Sequence, residues 1–131
     1  MIIVLIGLPC SGKTTFLKNL KSYEIYDDFI STIYNGELFE ALEDPNKKKI
    51  CVADPRLCNY DTFKKYIKIF ENKHNVLLIL FENNPVKCLK NLETRDTQKN
   101  VTKEIKFLSD IYNISRYTLY PHIILDIFNP P

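Results

Sequence analysis

Tryptophan is missing from this chain, methionine occurs once, and glycine occurs only three times in 131 residues. Core aromatics come instead from eight tyrosines and eight phenylalanines. With 45% hydrophobic residues the composition is ordinary for a globular protein, which excludes disordered and collagen-like chains. Neither charge dominates: 18 basic residues against 16 acidic ones leave a formal charge of +2. The sequence pI of about 8.3 falls short of the roughly 9 and above that marks an architectural DNA binder. A nucleic-acid substrate that visits briefly is still compatible with it. The run Lys47-Lys48-Lys49 reads as a solvated turn before a strand.

No two of the four cysteines form a C-x-x-C pair, and the two histidines lie far from all of them, so zinc-binding spacing is absent. Cys51 sits in an apolar run and Cys88 in an expected helix, as buried free thiols of a reducing cytosol do. There is no long apolar run either. Ile2 to Ile6 has no basic segment before it and stops at Gly7, far short of a signal sequence or a membrane span. These absences lead us to expect a soluble intracellular protein without a membrane partner. A length of 131 residues suits one domain.

Apolar runs alternate with amphipathic stretches. Strands are expected at residues 2–6, 23–26, 50–53, 76–81 and 123–127, and helices at 13–21, 36–42, 61–72, from Pro85 onward, and 101–112. Asp61 is a plausible N-cap for the third helix, and Asn84-Pro85 opens the fourth with proline at its favoured first position. Residues 94–100 are polar and read as a loop. Regular strand-helix alternation implies βαβ crossovers and a parallel sheet covered by helices on both faces. We expect five strands, the first one central, with functional residues at the strands' carboxyl ends.

Two of the glycines stand close together for a chemical reason. Gly7-Leu8-Pro9-Cys10-Ser11-Gly12-Lys13-Thr14 fits G-x-x-x-x-G-K-[ST] without a mismatch, between a buried strand and an amphipathic helix. Such a loop turns its backbone amides toward a phosphate, and the following helix adds the positive end of its dipole. Gly7, Pro9, Cys10, Ser11, Gly12, Lys13, Thr14 and Thr15 form the expected ATP-binding segment. Lys13 would reach the β- and γ-phosphates, and the Thr14 hydroxyl would ligate Mg²⁺. A guanine-reading N-K-x-D motif is lacking, since Asn46-Lys47-Lys48-Lys49 has no aspartate. A kinase needs only this loop, an acceptor site and a lid.

Acidic residues follow the expected strands. Asp27 and Asp28 come after the second; one could take a proton from an acceptor hydroxyl, or the pair could mark a turn or cap the next helix. Asp54 follows the third strand and reads either as a Mg²⁺-supporting carboxylate or as a strand-terminating turn with Pro55. Glu82 after the fourth strand is a weaker candidate. Arg56, two residues beyond Asp54, is placed to meet an acceptor-side phosphate. Arg95, where a helix gives way to the polar loop, is either a lid arginine for the transferred phosphoryl group or a helix-end arginine favourable to the dipole.

Taken together, residues 7–14, the Asp27-Asp28 pair, Asp54, and the segment from Asn84 through Asn91 to Arg95 resemble the small P-loop kinases of the adenylate-kinase-like type. The nearest resemblance is to the polynucleotide-kinase-like branch found in bacteriophages. It implies the P-loop fold with the kinase-type strand order 2-3-1-4-5, a single P-loop kinase domain over residues 1–131 with a short lid around 94–100, and ATP and Mg²⁺ as cofactors. It also implies Asp27 or Asp28 as general base toward a 5′-hydroxyl, Arg95 as lid arginine, and a location in the cytoplasm, the host's for a viral chain. The acceptor would be a hydroxyl of a nucleoside, a nucleotide, or a nucleic acid, with DNA or RNA ends and modified bases among the candidates. A kinase for a non-nucleic small molecule and a non-catalytic nucleotide-binding module are the competing readings. An intact Lys13-Thr14 pair argues against the module. The lid departs from the family in having one arginine where relatives often carry several.

Overall fold

Five short strands, most of them near-continuous apolar runs, pair in parallel in the order β2-β3-β1-β4-β5. They are β1 (Ile2–Ile6), β2 (Glu24–Asp27), β3 (Ile50–Ala53), β4 (Val76–Phe81) and β5 (His122–Leu125). The helices are α1 (Lys13–Leu17), α2 (Phe29–Thr32), α3 (Glu37–Glu43), α4 (Tyr60–Glu71), α5 (Pro85–Glu93) and α6 (Val101–Ile111). The computed structural model describes residues 1–32, 36–46, 49–72, 74–93 and 101–125. Lys47, Lys48, the expected lid at 94–100 and the end of the expected last strand at 126–127 lie outside them. Among the described residues, no helix is long and apolar enough to cross a membrane.

β1 is the central strand, paired with β3 on one side and β4 on the other, and all five of its residues are buried. Burial on both faces explains why β1, β3 and most of β4 are continuous apolar runs, whereas the edge strands β2 and β5 are partly exposed. Alternate residues feed two cores. Ile2, Val4, Ile6, Val52 and Leu80 pack under α3, α4, α5 and α6, and Ile3, Leu5, Ala53 and Phe81 pack under α1. Helices therefore cover both faces, as expected.

Several boundaries differ from expectation. α1 ends at Leu17, because Asn19 and Leu20 donate to carbonyls three residues back and tighten the chain into turns. α4 begins at Tyr60 and is capped by Asn59, whose side chain accepts from Asp61 N–H at 3.0 Å and Thr62 N–H at 3.4 Å, so Asp61 is a first-turn acid rather than the cap. Asn84 caps α5 through Lys87 N–H at 3.2 Å, with Pro85 as the first helical residue. Two 3₁₀ turns, Pro55–Cys58 and Ile114–Arg116, and the one-turn α2 are too short for hydrophobic periodicity to reveal.

The crossing from α6 to β5 fixes the top of the sheet. Tyr112 is buried and its hydroxyl donates toward the carbonyl of Phe81 at 2.7 Å and that of Ile6 at 3.3 Å, bridging the carboxyl ends of β4 and β1. Tyr117 does the same for the 3₁₀ turn after β3, donating to Leu57 carbonyl at 2.6 Å. Both polar hydroxyls are thus satisfied in the core, and burial raises both their pKa values.

Candidate active site

The segment after β1 must reverse direction within a few residues and leave its amides facing inward. Gly7 sits where a Cβ would lie 2.7 Å from Ser11 Oγ and 2.8 Å from Phe81 Cβ, so no larger residue fits without displacing the neighbouring strand. Gly12, just before α1, takes a left-handed conformation with φ of 99°. Cys10 also adopts positive φ, at 63°, a conformation that non-glycine residues rarely take. Alternating left-handed residues of this kind build the amide-lined concavity that binds anions. α5 holds the loop from outside, since Asn91 Nδ2 donates to the Cys10 carbonyl at 3.0 Å.

Lys13 lies inside the loop. It is buried, and its ammonium donates to the carbonyls of Gly7 at 2.7 Å and Leu8 at 2.5 Å, with Ser11 Oγ at 3.3 Å. Burial lowers its pKa, opposed by nearby thiols and by Asp27. Three oxygens keep the buried charge satisfied. Cys58 and Cys88, buried close by, have thiols pushed up to about 12 and about 11 by the same desolvation, which keeps them protonated and inert.

A cavity of about 450 Å³ opens over the loop at the carboxyl ends of β1, β2 and β3, bordered by Pro9, Cys10, Lys13 and Thr14 on the loop side. Asp27, Asp28, Asp54 and Arg56 border it from the strand ends, and Val101 and Glu104 from α6. Most of the expected site residues therefore meet at one place. Thr14 is exposed toward it. Ser11 is buried under the loop, and Thr15 is exposed outside the cavity lining. Glu82 also lies outside the lining. Arg95 lies outside the described residues.

Asp54, expected as a Mg²⁺-supporting carboxylate or a strand-terminating turn, is held by hydrogen bonds within the fold. It is fully buried; Oδ1 accepts from Arg56 N–H and Arg56 Nε, both at 2.9 Å, and Oδ2 accepts from Ile30 N–H at 3.1 Å and Arg56 Nη2 at 2.7 Å. One carboxylate thus caps the 3₁₀ turn, caps α2 and grips an arginine, and each oxygen already has two donors. Arg56, expected to meet an acceptor phosphate, is instead committed to this ion pair, which raises its pKa. With Asp54 capping α2, the Asp27-Asp28 pair does not have to. Asp27 Oδ1 accepts from Asp28 N–H at 3.0 Å, and Asp28 holds φ of 51°. The Asp28 carboxyl is raised above the usual aspartate range by partial burial and by Asp27 and Asp54, with Arg56 and Lys13 opposing.

Sequence reasoning missed Glu104 and Val101, which reach the cavity only because α6 crosses the sheet top after residues 94–100. It also placed Asn91 in the strand-to-lid segment without seeing its bond to the loop. No local pattern marks either.

No family model matches the sequence. An uncharacterized protein of Acanthamoeba polyphaga mimivirus is 41% identical over 135 residues, which span 97% of this chain and 96% of that one. This chain belongs to the family of that mimivirus protein. Among solved structures, the family member is similar to deoxyadenosine kinase from M. mycoides with bound dATP, with a TM-score of 0.57 and 14% identity over 99% of this chain and 93% of that one. It is also similar to shikimate kinase from Bacteroides thetaiotaomicron, with a TM-score of 0.53 and 16% identity over 96% and 86% of the two chains. Together with the strand order, these likenesses establish the P-loop kinase fold.

Proposed function

We propose that this chain is an ATP- and Mg²⁺-dependent kinase that transfers a γ-phosphate to a hydroxyl of a nucleoside, nucleotide or nucleic acid, in the manner of the polynucleotide-kinase-like enzymes. The observation that carries the reading is the meeting of Lys13, Thr14 and the Asp27-Asp28 pair around one cavity at the strand ends. The fold's likeness to deoxyadenosine kinase, a nucleotide-bound enzyme in its own structure, supports it. Residues 1–131 act as one domain, with residues 94–100 as the lid.

The donor phosphates lie against the loop amides between Gly7 and Thr14, and Lys13 exchanges its carbonyl partners for phosphate oxygens. Mg²⁺ usually binds through one or two carboxylates, waters and substrate phosphates. The Thr14 hydroxyl and an Asp27 or Asp28 carboxylate at the same cavity fit that donor set, whereas Asp54 does not, with both oxygens occupied. When bound, the ion would offset charge on the phosphate oxygens. Asp28 is the better base of the pair, because its surroundings favour a proton and it has no capping duty. The acceptor oxygen bonds to the γ-phosphorus while the bond to the bridging β-γ oxygen breaks; ADP departs and the acceptor's proton passes to Asp28. Arg95, from the lid, would meet charge on the transferred group.

The test is transfer of label from ATP to a panel of nucleosides, monophosphates, 5′-hydroxyl oligonucleotides, hydroxymethylated DNA and non-nucleic polyols. Lys13→Ala should lower the rate by about 10²-fold or more, as loss of one fixed charge at the reacting phosphates does. A folded Lys13→Ala variant with unchanged turnover would end this reading, and transfer only to the polyols would move it to small-molecule kinases.

A further inference from the structure

We propose that the acceptor hydroxyl belongs to an uncharged molecule, a nucleoside, and not to a monophosphate or a nucleic-acid end. The inference rests on the kinase reading and deepens it. Four carboxylates border the cavity, from Asp27, Asp28, Asp54 and Glu104, against two cations, Lys13 and Arg56. Lys13 is inside the phosphate loop and serves the donor. Arg56 is held in a two-pronged pair by buried Asp54, so those two charges cancel each other in place. What remains of the charged lining is Asp27 at the end of β2, Asp28 just after it, and Glu104 from α6, a negative border in a chain whose net charge is +2. A triphosphate donor adds negative charge to the same space, which one bound Mg²⁺ would offset only in part. An anionic acceptor would meet repulsion from both sides with no uncommitted cation among the described cavity residues, and like charges at such distances are costly. A neutral sugar hydroxyl meets no such opposition, and its other hydroxyls can donate to the carboxylates.

The measurement compares each of the four deoxynucleosides with its 3′-monophosphate as acceptor. Both have a free 5′-hydroxyl, and the second carries a charged phosphate in place of the 3′-hydroxyl hydrogen. At low salt we expect kcat/KM for the preferred nucleoside to exceed that of its 3′-monophosphate by about tenfold or more. Glu104→Gln should narrow that gap roughly threefold, and 0.5 M salt should narrow it too, because screening weakens exposed charges. Equal or better use of the 3′-monophosphate overturns the inference, as does a gap that neither Glu104→Gln nor salt reduces, which would be steric. A chain that binds ATP but uses neither partner also overturns it. A chain that binds no ATP overturns the kinase reading itself.

Discussion

Asp28 is a residue whose surroundings work against its own charge. Its carboxyl is raised by partial burial and by Asp27 and Asp54, so the folded state binds its proton more tightly than the unfolded chain does. The stabilisation this supplies is complete below the unfolded aspartate value and is lost as pH rises through the raised folded value. Asparagine does not titrate, and it tolerates the positive φ held here. Asp28→Asn should therefore gain stability relative to the wild type as pH rises from about 4 to 7, read as a widening difference in Tm. The same variant should lose roughly 10²–10⁴-fold in transfer rate if Asp28 is the base. A Tm difference that stays flat with pH, or a variant with full transfer rate, contradicts these assignments. The phosphate loop was legible residue by residue because backbone chemistry demands particular side chains at fixed offsets. The pairing of Asp54 with Arg56 was not. An aspartate after a strand reads equally as a metal ligand or as a strand-terminating turn, and the bond it takes from Ile30 N–H, in the helix after β2, has no local signature.

At the scale of elements, α5 does more than cross between strands. Its Asn91 reaches the Cys10 carbonyl, and Cys10 holds a conformation that costs a non-glycine residue about 1–3 kcal/mol. The helix thus helps keep the loop in its anion-binding shape, and Asn91→Ala should weaken ATP binding by about fivefold to tenfold, one hydrogen bond's worth. Glycine takes positive φ without steric cost, so adding Cys10→Gly should recover most of that loss. Calorimetric titration of both variants with an ATP analogue checks this, and equal losses with and without Cys10→Gly would disprove the coupling. The elements themselves were readable where they are long or continuously apolar: β1, β3, β4 and α4 lie within a residue or two of expectation. The one-turn α2 and the 3₁₀ turns were not, because they are shorter than any hydrophobic period, and α2 is capped by Asp54 from far along the chain.

For the whole molecule, alternation pointed to a parallel sheet with its first strand central, the resemblance to P-loop kinases implied the strand order, and that order is the one observed. What no pattern disclosed is how α6 crosses the sheet to put Glu104 at the cavity and Tyr112 over the ends of β1 and β4. That path depends on packing, not on local sequence. The same topology also sets a timetable. Ile2 pairs with Ile50 on one side and with Val76 on the other. β1 therefore leaves the ribosome before either neighbour and gains the second only once β4 has been made. At about 5–20 residues per second, its apolar run waits several seconds for β4 to be made. Closing contacts so distant along the chain is slow even in the complete protein. In refolding followed by pulsed hydrogen exchange, amides of β1 should gain protection together with those of β4 and not before them; early protection of β1 alone would contradict this. A strand that waits so long with five apolar side chains uncovered is the point at which a growing chain is most exposed to aggregation, and the phosphate loop cannot take shape until that wait is over.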